Sequence, residues 1–366
     1  MGAAVMLVPS LRYLRATQPE AEIHVLTSST CHPVWDALGL VDPANVHVVE
    51  NRTPAGFLTA LARQLLALRK LRFDLVIDYE LFMRIAALAS GCVHAAERAG
   101  FHRYDLEGLY RGDFYDHRVA YNQNQHIARN YLALTKSALL GSEDVPNFKG
   151  PIPIEEIAVP PTYPTASDAE LAAIVPGWTP EKRMLVVCPD VGKHLAMRNY
   201  PRRSFARVLD IVEARLPDLA PVMVGTESDR DAAEAIRAAT RNPARVLDLC
   251  GGTTLQQLLQ VISRADLVLT NDNGPAHFAA LTGTPVVALF STDSPFVYGP
   301  LGRAIVAYAF FHCSPCISAF NHKASRCTDN RCLQAITPER VVDLMEAALT
   351  PDARYRTINH QLPYLT

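Results

Sequence analysis

The sequence has no apolar run approaching the roughly 20 residues that a membrane-spanning helix requires. It also has no basic segment before the short apolar run near its start, so it does not resemble a signal peptide. Net charge is only −2 over 366 residues, and no overall basic field favours nucleic acid. These absences predict a cytoplasmic protein without nucleic-acid partners, whose membrane contact, if any, is peripheral and at the inner face.

Length and composition favour a two-domain globular protein. Hydrophobic residues make up 49% and charged residues 20% of the chain, and 366 residues are enough for two domains. Alternating strand and helix patterns with short connections are typical of a Rossmann-like parallel sheet. Six prolines between Pro146 and Pro164 mark the connection. We therefore predict domains at 1–165 and 166–350, with the cysteine-rich segment and a last helix in the second, and a tail at 351–366.

The most informative stretch runs from Ala265 to Thr292. An apolar strand at 266–270 is broken by four residues, Asn271 to Gly274, and followed by a short helix and a second apolar strand. Such a loop places free backbone N–H groups at a helix N-terminus, which suits an anion such as a pyrophosphate. The candidate anion-binding residues are Asp272, Asn273, Gly274 and His277. The alternative is an ordinary turn in which Asp and Asn cap the helix.

The hexapeptide DNGPAH at 272–277 resembles the D-[TS]-G-x-x-H signature of glycosyltransferase family 9, the ADP-heptose:lipopolysaccharide heptosyltransferases. The resemblance implies an α/β fold of the GT-B type, in which two Rossmann-like doubly wound domains face a cleft. It implies an inverting transfer of heptose or a related sugar that requires no cofactor or metal for catalysis. The implied partners are a nucleotide-sugar donor, with an ADP-sugar favoured, and a glycan or lipid-linked acceptor of the cell envelope or lipopolysaccharide core.

The same resemblance adds donor-binding candidates in two further loops. Arg198 stands where the family has a phosphate-binding lysine, and an arginine there keeps the charge and can bind phosphate through two donors. Lys193 lies in the same loop, and Glu227 follows a strand-end glycine where the family contacts the nucleotide. The alternatives are solvated surface charges for the two cations and a simple carboxylate at a helix N-terminus for Glu227.

The start of the chain departs from the family pattern. GAAVMLVP at Gly2–Pro9 resembles the family's G-D-x-V-x-x-x-P turn, and the family's first strand is expected to be missing or reduced. Ala3 stands where the family has an aspartate proposed as the general base. The remaining candidates for a base are Asp78, Glu80, His102 and Asp105. The alternative function is a catalytically impaired nucleotide-sugar-binding protein of the same fold.

Four cysteines form a cluster late in the chain. Cys313, Cys316, Cys327 and Cys332 follow the spacing C-x2-C-x10-C-x4-C. In a cytosolic protein this spacing favours metal thiolates over disulfides, and four thiolates suit a structural zinc site. The alternative is four thiols that only pack a loop.

Overall fold

The computed structural model describes residues 1–50, 53–104, 110–141, 143–191, 197–319, 321 and 325–350. The chain forms two compact units, the first containing Ala3–Ile157 and the second Ala158–Ile317. Ser318–Ala324 group with the first unit, and the residues from Ser325 onward group with the second. This division falls inside the proline-rich connection, while the boundary between residues 165 and 166 stays a prediction. Lys193, Asp105 and the tail 351–366 lie outside the described residues.

The described residues of the first unit form five strands, and all of their pairings are parallel. The strands are β1 (Val25–Ser28), β2 (Val46–Val49), β3 (Phe73–Asp78), β4 (Ala95–His102) and β5 (His117–Ala120). The helices are α1 (Gly2–Met6), α2 (Val8–Thr17), α3 (His32–Leu38), α4 (Pro54–Leu68), α5 (Arg84–Cys92) and α6 (Ile127–Leu140). Strands β1 and β2 form one sheet, and β3, β4 and β5 form another. Residues 2–6 are helical, and the first strand among the described residues is β1.

Helix α6 holds the core of the first unit together. Nine of its residues are buried, among them Leu132 and Leu134, and it packs against β3, β4, β5 and α2. Each fully buried leucine contributes about 1.5–3 kcal/mol by leaving water. Helix α4 begins where Thr53 accepts a hydrogen bond from the Gly56 N–H at 3.1 Å, with Pro54 as its first residue.

The described residues of the second unit form six strands and eight α-helices. The strands are β6 (Arg183–Cys188), β7 (Leu219–Met223), β8 (Leu247–Asp248), β9 (Leu267–Asn271), β10 (Val286–Leu289) and β11 (Ala304–Ala307). The helices are α7 (Asp168–Ile174), α8 (Arg202–Arg215), α9 (Arg230–Ala239), α10 (Leu255–Ser263), α11 (Gly274–Thr282), α12 (Pro295–Tyr298), α13 (Arg331–Gln334) and α14 (Pro338–Leu349). Among the residues with described structure, no helix is long and apolar enough to cross a membrane.

The strand order of the second unit is that of a dinucleotide-binding sheet. Its six parallel strands lie in the order β11-β10-β9-β6-β7-β8, which is 6-5-4-1-2-3 when numbered along the unit. All residues of β9, β10 and β11 are buried, as expected for a parallel sheet covered by helices on both faces. The order reverses between β6 and β9, and ligands of such sheets bind at the carboxyl ends of the strands at that point.

Candidate functional site

The loops that follow β6 and β9 are joined by the side chain of Asn271, the last residue of β9. Asn271 is fully buried. Its Oδ1 accepts a hydrogen bond from the Tyr200 N–H at 3.1 Å, and its Nδ2 donates to the Pro189 carbonyl at 2.7 Å. Because these bonds cross the switch point of the sheet, they fix both loops at the edge where a ligand is expected.

Asn273 makes a second connection between the same loops and stands at the N-cap position of the next helix. Its Nδ2 donates to the Asp190 carbonyl at 3.1 Å, and its Oδ1 accepts from the Thr270 hydroxyl at 2.6 Å. Asn273 is the N-cap of α11, but its side chain makes no cap hydrogen bond to the helix. The first N–H groups of a helix have no partner within it. The side chain of Asn273 therefore orders the loop without occupying the N-terminus of α11, where an anion would bind.

Helix α11 confirms the strand–loop–helix–strand unit expected between residues 265 and 292. It begins at Gly274, with Pro275 in its first turn, and ends before Gly283, whose φ of +74° is a left-handed C-cap. His277 lies in this helix and is buried. The structure thus places the candidates from Asp272 to His277 around one helix N-terminus, and their contact with a donor stays a prediction.

Arg198 lies against the same loop. Its side chain is only 11% exposed, and its Nε is 3.5 Å from Asp272 Oδ2. Its Nη2 donates to Asp293 Oδ2. Asp272 and Asp293 are both buried, so one guanidinium offsets two carboxylates. Arg198, the expected phosphate-binding residue, is therefore part of a buried ionic cluster that ties the loop after β9 to the loop after β10. This excludes the alternative of a solvated surface charge, and contact with a donor phosphate stays a prediction.

Asp293 was missed by the sequence reasoning. It belongs to a short polar segment, Ser291–Asp293, that directly follows the buried strand β10 and its buried neighbour Phe290. The sequence does show a carboxylate shortly after an apolar strand, and this position could have marked Asp293 as a candidate. Its pairing with Arg198, a residue 95 positions earlier, was not readable from the sequence.

Glu227 lies in the loop after β7 and is mostly exposed. Its Oε2 accepts from Arg230 Nη2 at 2.7 Å. The same oxygen is 2.1 Å from where a Cβ on Gly251 would lie, and Gly251 has a φ of +71°. The Gly251 N–H donates to the Gly225 carbonyl at 2.9 Å. The loops after β7 and β8 are therefore packed together, at the same carboxyl edge of the sheet as α11.

Asp78 is the most enclosed of the three candidate bases that the structure describes. It ends β3 and accepts hydrogen bonds from Arg111, from the Tyr115 hydroxyl at 2.7 Å and from the Glu80 N–H at 3.0 Å. Burial raises the pKa of Asp78 above its ordinary value, and Arg111 and Tyr115 oppose that rise. A carboxylate so fully engaged in a buried ion pair is poorly placed to accept a proton from a substrate.

The other candidates differ in their surroundings. Glu80 Oε1 accepts from the Leu81 and Phe82 N–H groups at 3.0 and 2.8 Å. His102 ends β4, with its Nδ1 3.7 Å from Asp113 Oδ1. Asp105 lies outside the described residues. Ala3 lies in α1 and is exposed, and its methyl group has no atom that can accept a proton.

The structure does not support the zinc site expected at the cysteine cluster. Cys313 and Cys327 are exposed and Cys316 and Cys332 partly buried, all without a disulfide. The Cys327 thiol donates to the Asp329 carbonyl at 3.1 Å, and burial raises the pKa of the Cys332 thiol. Among the residues that the structure describes, no group of three or more His, Cys, Asp or Glu side chains is placed to hold a metal ion. Thiolate ligands must converge to about 2.3 Å from zinc.

Comparison with known proteins gives consistent matches. A family model described as glycosyltransferase family 9 (heptosyltransferase) matches residues 59–324. Lipopolysaccharide heptosyltransferase 2 of Escherichia coli is 24% identical over 95% of this chain and 96% of its own length. Lipopolysaccharide core heptosyltransferase OpsX of Haemophilus influenzae is 45% identical over 53 residues, which cover 14% of this chain and 15% of that protein.

A solved structure extends the likeness to the fold. The E. coli ADP-heptose lipopolysaccharide heptosyltransferase II shares 21% identity with this chain, with 95% of each chain covered and a TM-score of 0.68. At that identity the likeness shows the fold alone. The expected fold class, α/β of the GT-B type with parallel Rossmann-like sheets, is confirmed.

Proposed function

This chain belongs to glycosyltransferase family 9, and from that premise we propose that it transfers heptose or a related sugar from an ADP-sugar to an acceptor of the lipopolysaccharide core. The similar E. coli sequence and the similar E. coli structure are both named as a lipopolysaccharide heptosyltransferase, and the name of the structure includes ADP-heptose. We extend that donor and that acceptor class to this chain. The acceptor is then a glycan or a lipid-linked glycan, reached from the cytoplasmic side of the membrane.

The observation that carries the proposal is the arrangement at the switch point of the second unit. The N-terminus of α11 follows an ordered loop, and Arg198 is held beside that loop by Asp272 and Asp293. Helix N-terminal N–H groups and a guanidinium are two recurrent binding groups for a diphosphate. Glu227 and the loop after β8, at the same sheet edge, would contact the nucleoside.

In the proposed mechanism, negative charge grows on the departing ADP as the bond to the sugar breaks. The α11 N-terminus and the guanidinium of Arg198 stabilise that charge, and they do so best when water is excluded. Because hydrogen-bond donors of the chain itself meet the leaving diphosphate in this mechanism, the proposed transfer uses no metal. The acceptor hydroxyl attacks from the opposite face of the sugar, which inverts the anomeric centre.

A base must remove the proton of the acceptor hydroxyl, and the described candidates differ in how well they could do so. The buried ion pair of Asp78 makes it the weakest of the described candidates. In Glu80, both backbone hydrogen bonds are accepted by Oε1, so neither of them occupies Oε2. The ion pair of His102 is weak, because its Nδ1 lies 3.7 Å from Oδ1 of the exposed Asp113. We therefore propose Glu80 or His102 as the base.

A second function is favoured by Ala3. If no other residue replaces the aspartate that the family has there, the chain binds a nucleotide-sugar without transferring it. The two functions are separated by an experiment with the purified protein, an ADP-sugar donor and a lipopolysaccharide core acceptor. Transfer to the acceptor supports the enzyme, and ADP binding without donor consumption supports the binding protein.

A further inference from the structure

The ionic cluster around Arg198 contains one residue that the family resemblance did not identify. Asp293 is 2% exposed in its side chain, and its Oδ2 accepts from Arg198 Nη2. Its Oδ1 is buried and accepts no hydrogen bond within the described part of the chain. A buried carboxylate with only one of its oxygens hydrogen-bonded is costly, so the site retains it at a price in stability.

The geometry of the guanidinium explains what that carboxylate does. Nε of Arg198 lies beside Asp272, and Nη2 is bound to Asp293. Within the described residues these are the two partners of Arg198, so Nη1 makes no hydrogen bond there. Nε makes no hydrogen bond within the described residues, so the guanidinium is held by its hydrogen bond to Asp293 and by the nearby charge of Asp272. These two contacts restrict the rotation of the planar guanidinium and leave its Nη1 edge for another partner.

We propose that Asp293 is a positioning residue that orients Arg198, so that the Nη1 edge of the guanidinium meets the diphosphate of the donor. This inference rests on the proposed function. Asp293 does not itself touch the donor. By holding one end of the fork it lowers the conformational entropy that Arg198 loses when the anion binds.

If only net charge mattered, removing Asp293 would strengthen the binding of ADP, whereas a positioning role predicts weaker binding. Arg198 carries one positive charge against two carboxylates, so the cluster is net negative and repels a diphosphate. If repulsion dominated, replacing Asp293 with a neutral residue would tighten ADP binding. If positioning dominates, the same replacement weakens it. The sign of the change therefore decides between the two roles.

The test measures the dissociation constants of ADP and AMP for the wild-type chain, Asp293→Asn and Asp293→Ala by calorimetry. We expect ADP to bind about tenfold more weakly to Asp293→Asn and about a hundredfold more weakly to Asp293→Ala, the range of a charge-assisted hydrogen bond. The affinity for AMP, which has one phosphate, should fall by a smaller factor, so the preference for ADP over AMP becomes smaller. A general loss of structure would weaken both nucleotides alike.

Asp266→Asn is the matched control. Asp266 pairs with Arg183 at 3.0 Å, as Asp293 pairs with Arg198, but it precedes β9 at the opposite end of the strand from α11. This variant should keep the wild-type affinity for both nucleotides. Arg198→Lys gives a further check, because lysine keeps the charge but lacks the planar guanidinium whose orientation Asp293 is proposed to set. In the Arg198→Lys background, Asp293→Asn should cause little additional loss.

Unchanged or tighter ADP binding by Asp293→Asn would overturn the inference. So would an equal loss of ADP and AMP affinity, or full additivity of the two substitutions. If the wild-type chain itself binds no ADP, the proposed function fails before Asp293 is tested. Should Asp293→Ala not fold, the Asp293→Asn and Arg198→Lys pair still decides the question.

Discussion

Removing Arg111 should destabilise the first unit because it leaves the buried carboxylate of Asp78 without its cation. The two side chains are 1% and 5% exposed, so solvent screens neither of them. Breaking a buried ion pair by deleting one partner typically costs about 3–5 kcal/mol. Arg111 Nη1 also donates to the Met83 carbonyl at 3.0 Å, and that bond is lost as well. Arg111→Met should therefore lower the free energy of unfolding of this unit by several kcal/mol at pH 8.

The loss should depend on pH with a definite sign. Burial already raises the folded-state pKa of Asp78 above its unfolded value, and without Arg111 that pKa rises further. A carboxyl group with a raised folded pKa binds more protons in the native state. Its contribution to the free energy of unfolding is therefore fully present below the unfolded-state pKa of about 3.9. That contribution is lost as pH rises through the folded-state pKa. The gap in free energy of unfolding between wild type and Arg111→Met should therefore narrow as pH falls from 8 toward 5.

Urea unfolding at pH 5, 6, 7 and 8 measures this gap, with signals assigned to each unit because two units need not unfold together. The double variant Arg111→Met/Asp78→Asn is the control, since it removes the unpaired charge. It should be more stable than Arg111→Met at pH 8 and show a weaker pH dependence. A gap that stays constant from pH 5 to 8, or no gain in the double variant, would refute the role given to this ion pair.

Three further outcomes are expected. Burial raises the pKa of Tyr79 to about 12, so its contribution to stability is present below pH 10 and lost as pH rises from 10 to 12; Tyr79→Phe should flatten that alkaline loss in thermal unfolding, and an unchanged profile would contradict it. Gly251→Ala should lower the unfolding temperature, because φ is +71° and the new Cβ would lie 2.1 Å from Glu227 Oε2; an unchanged temperature would contradict the strain expected at this φ. Glu80→Gln or His102→Gln, whichever removes the base, should lower transfer by about a hundredfold or more with ADP affinity unchanged, and full activity of both would exclude both residues.

Much of the second unit was predictable because its signals are local. The apolar runs of β6, β9 and β10 and the Gly and Pro positions around α11 mark buried parallel strands and a helix start. The structure agrees with the predicted strand at 266–270 to within one residue, since β9 spans Leu267–Asn271. These features depend on short-range chemistry that a sequence displays directly.

The features that the sequence did not reveal depend on contacts between distant residues. The sequence predicts Arg198 as a phosphate-binding residue, and only the fold brings it between Asp272 and Asp293. Asp78 reads as an accessible strand-end carboxylate, and only the fold buries it with Arg111. The cysteine spacing suggested four converging thiolates, but spacing along the chain does not fix the direction of side chains. Pairings of this kind are set by tertiary packing, which a single sequence does not display.

The most direct test of the central claim is the unfolding temperature of the purified chain with and without ADP, with UDP and GDP as controls. A ligand that binds only the folded state adds about 2.7 kcal/mol of stability at a hundredfold excess over its dissociation constant. The account predicts a clear rise with ADP, absent in Arg198→Ala, and a smaller rise with UDP and GDP. No rise with ADP at millimolar concentration would contradict the claim that the second unit binds the donor diphosphate at the N-terminus of α11.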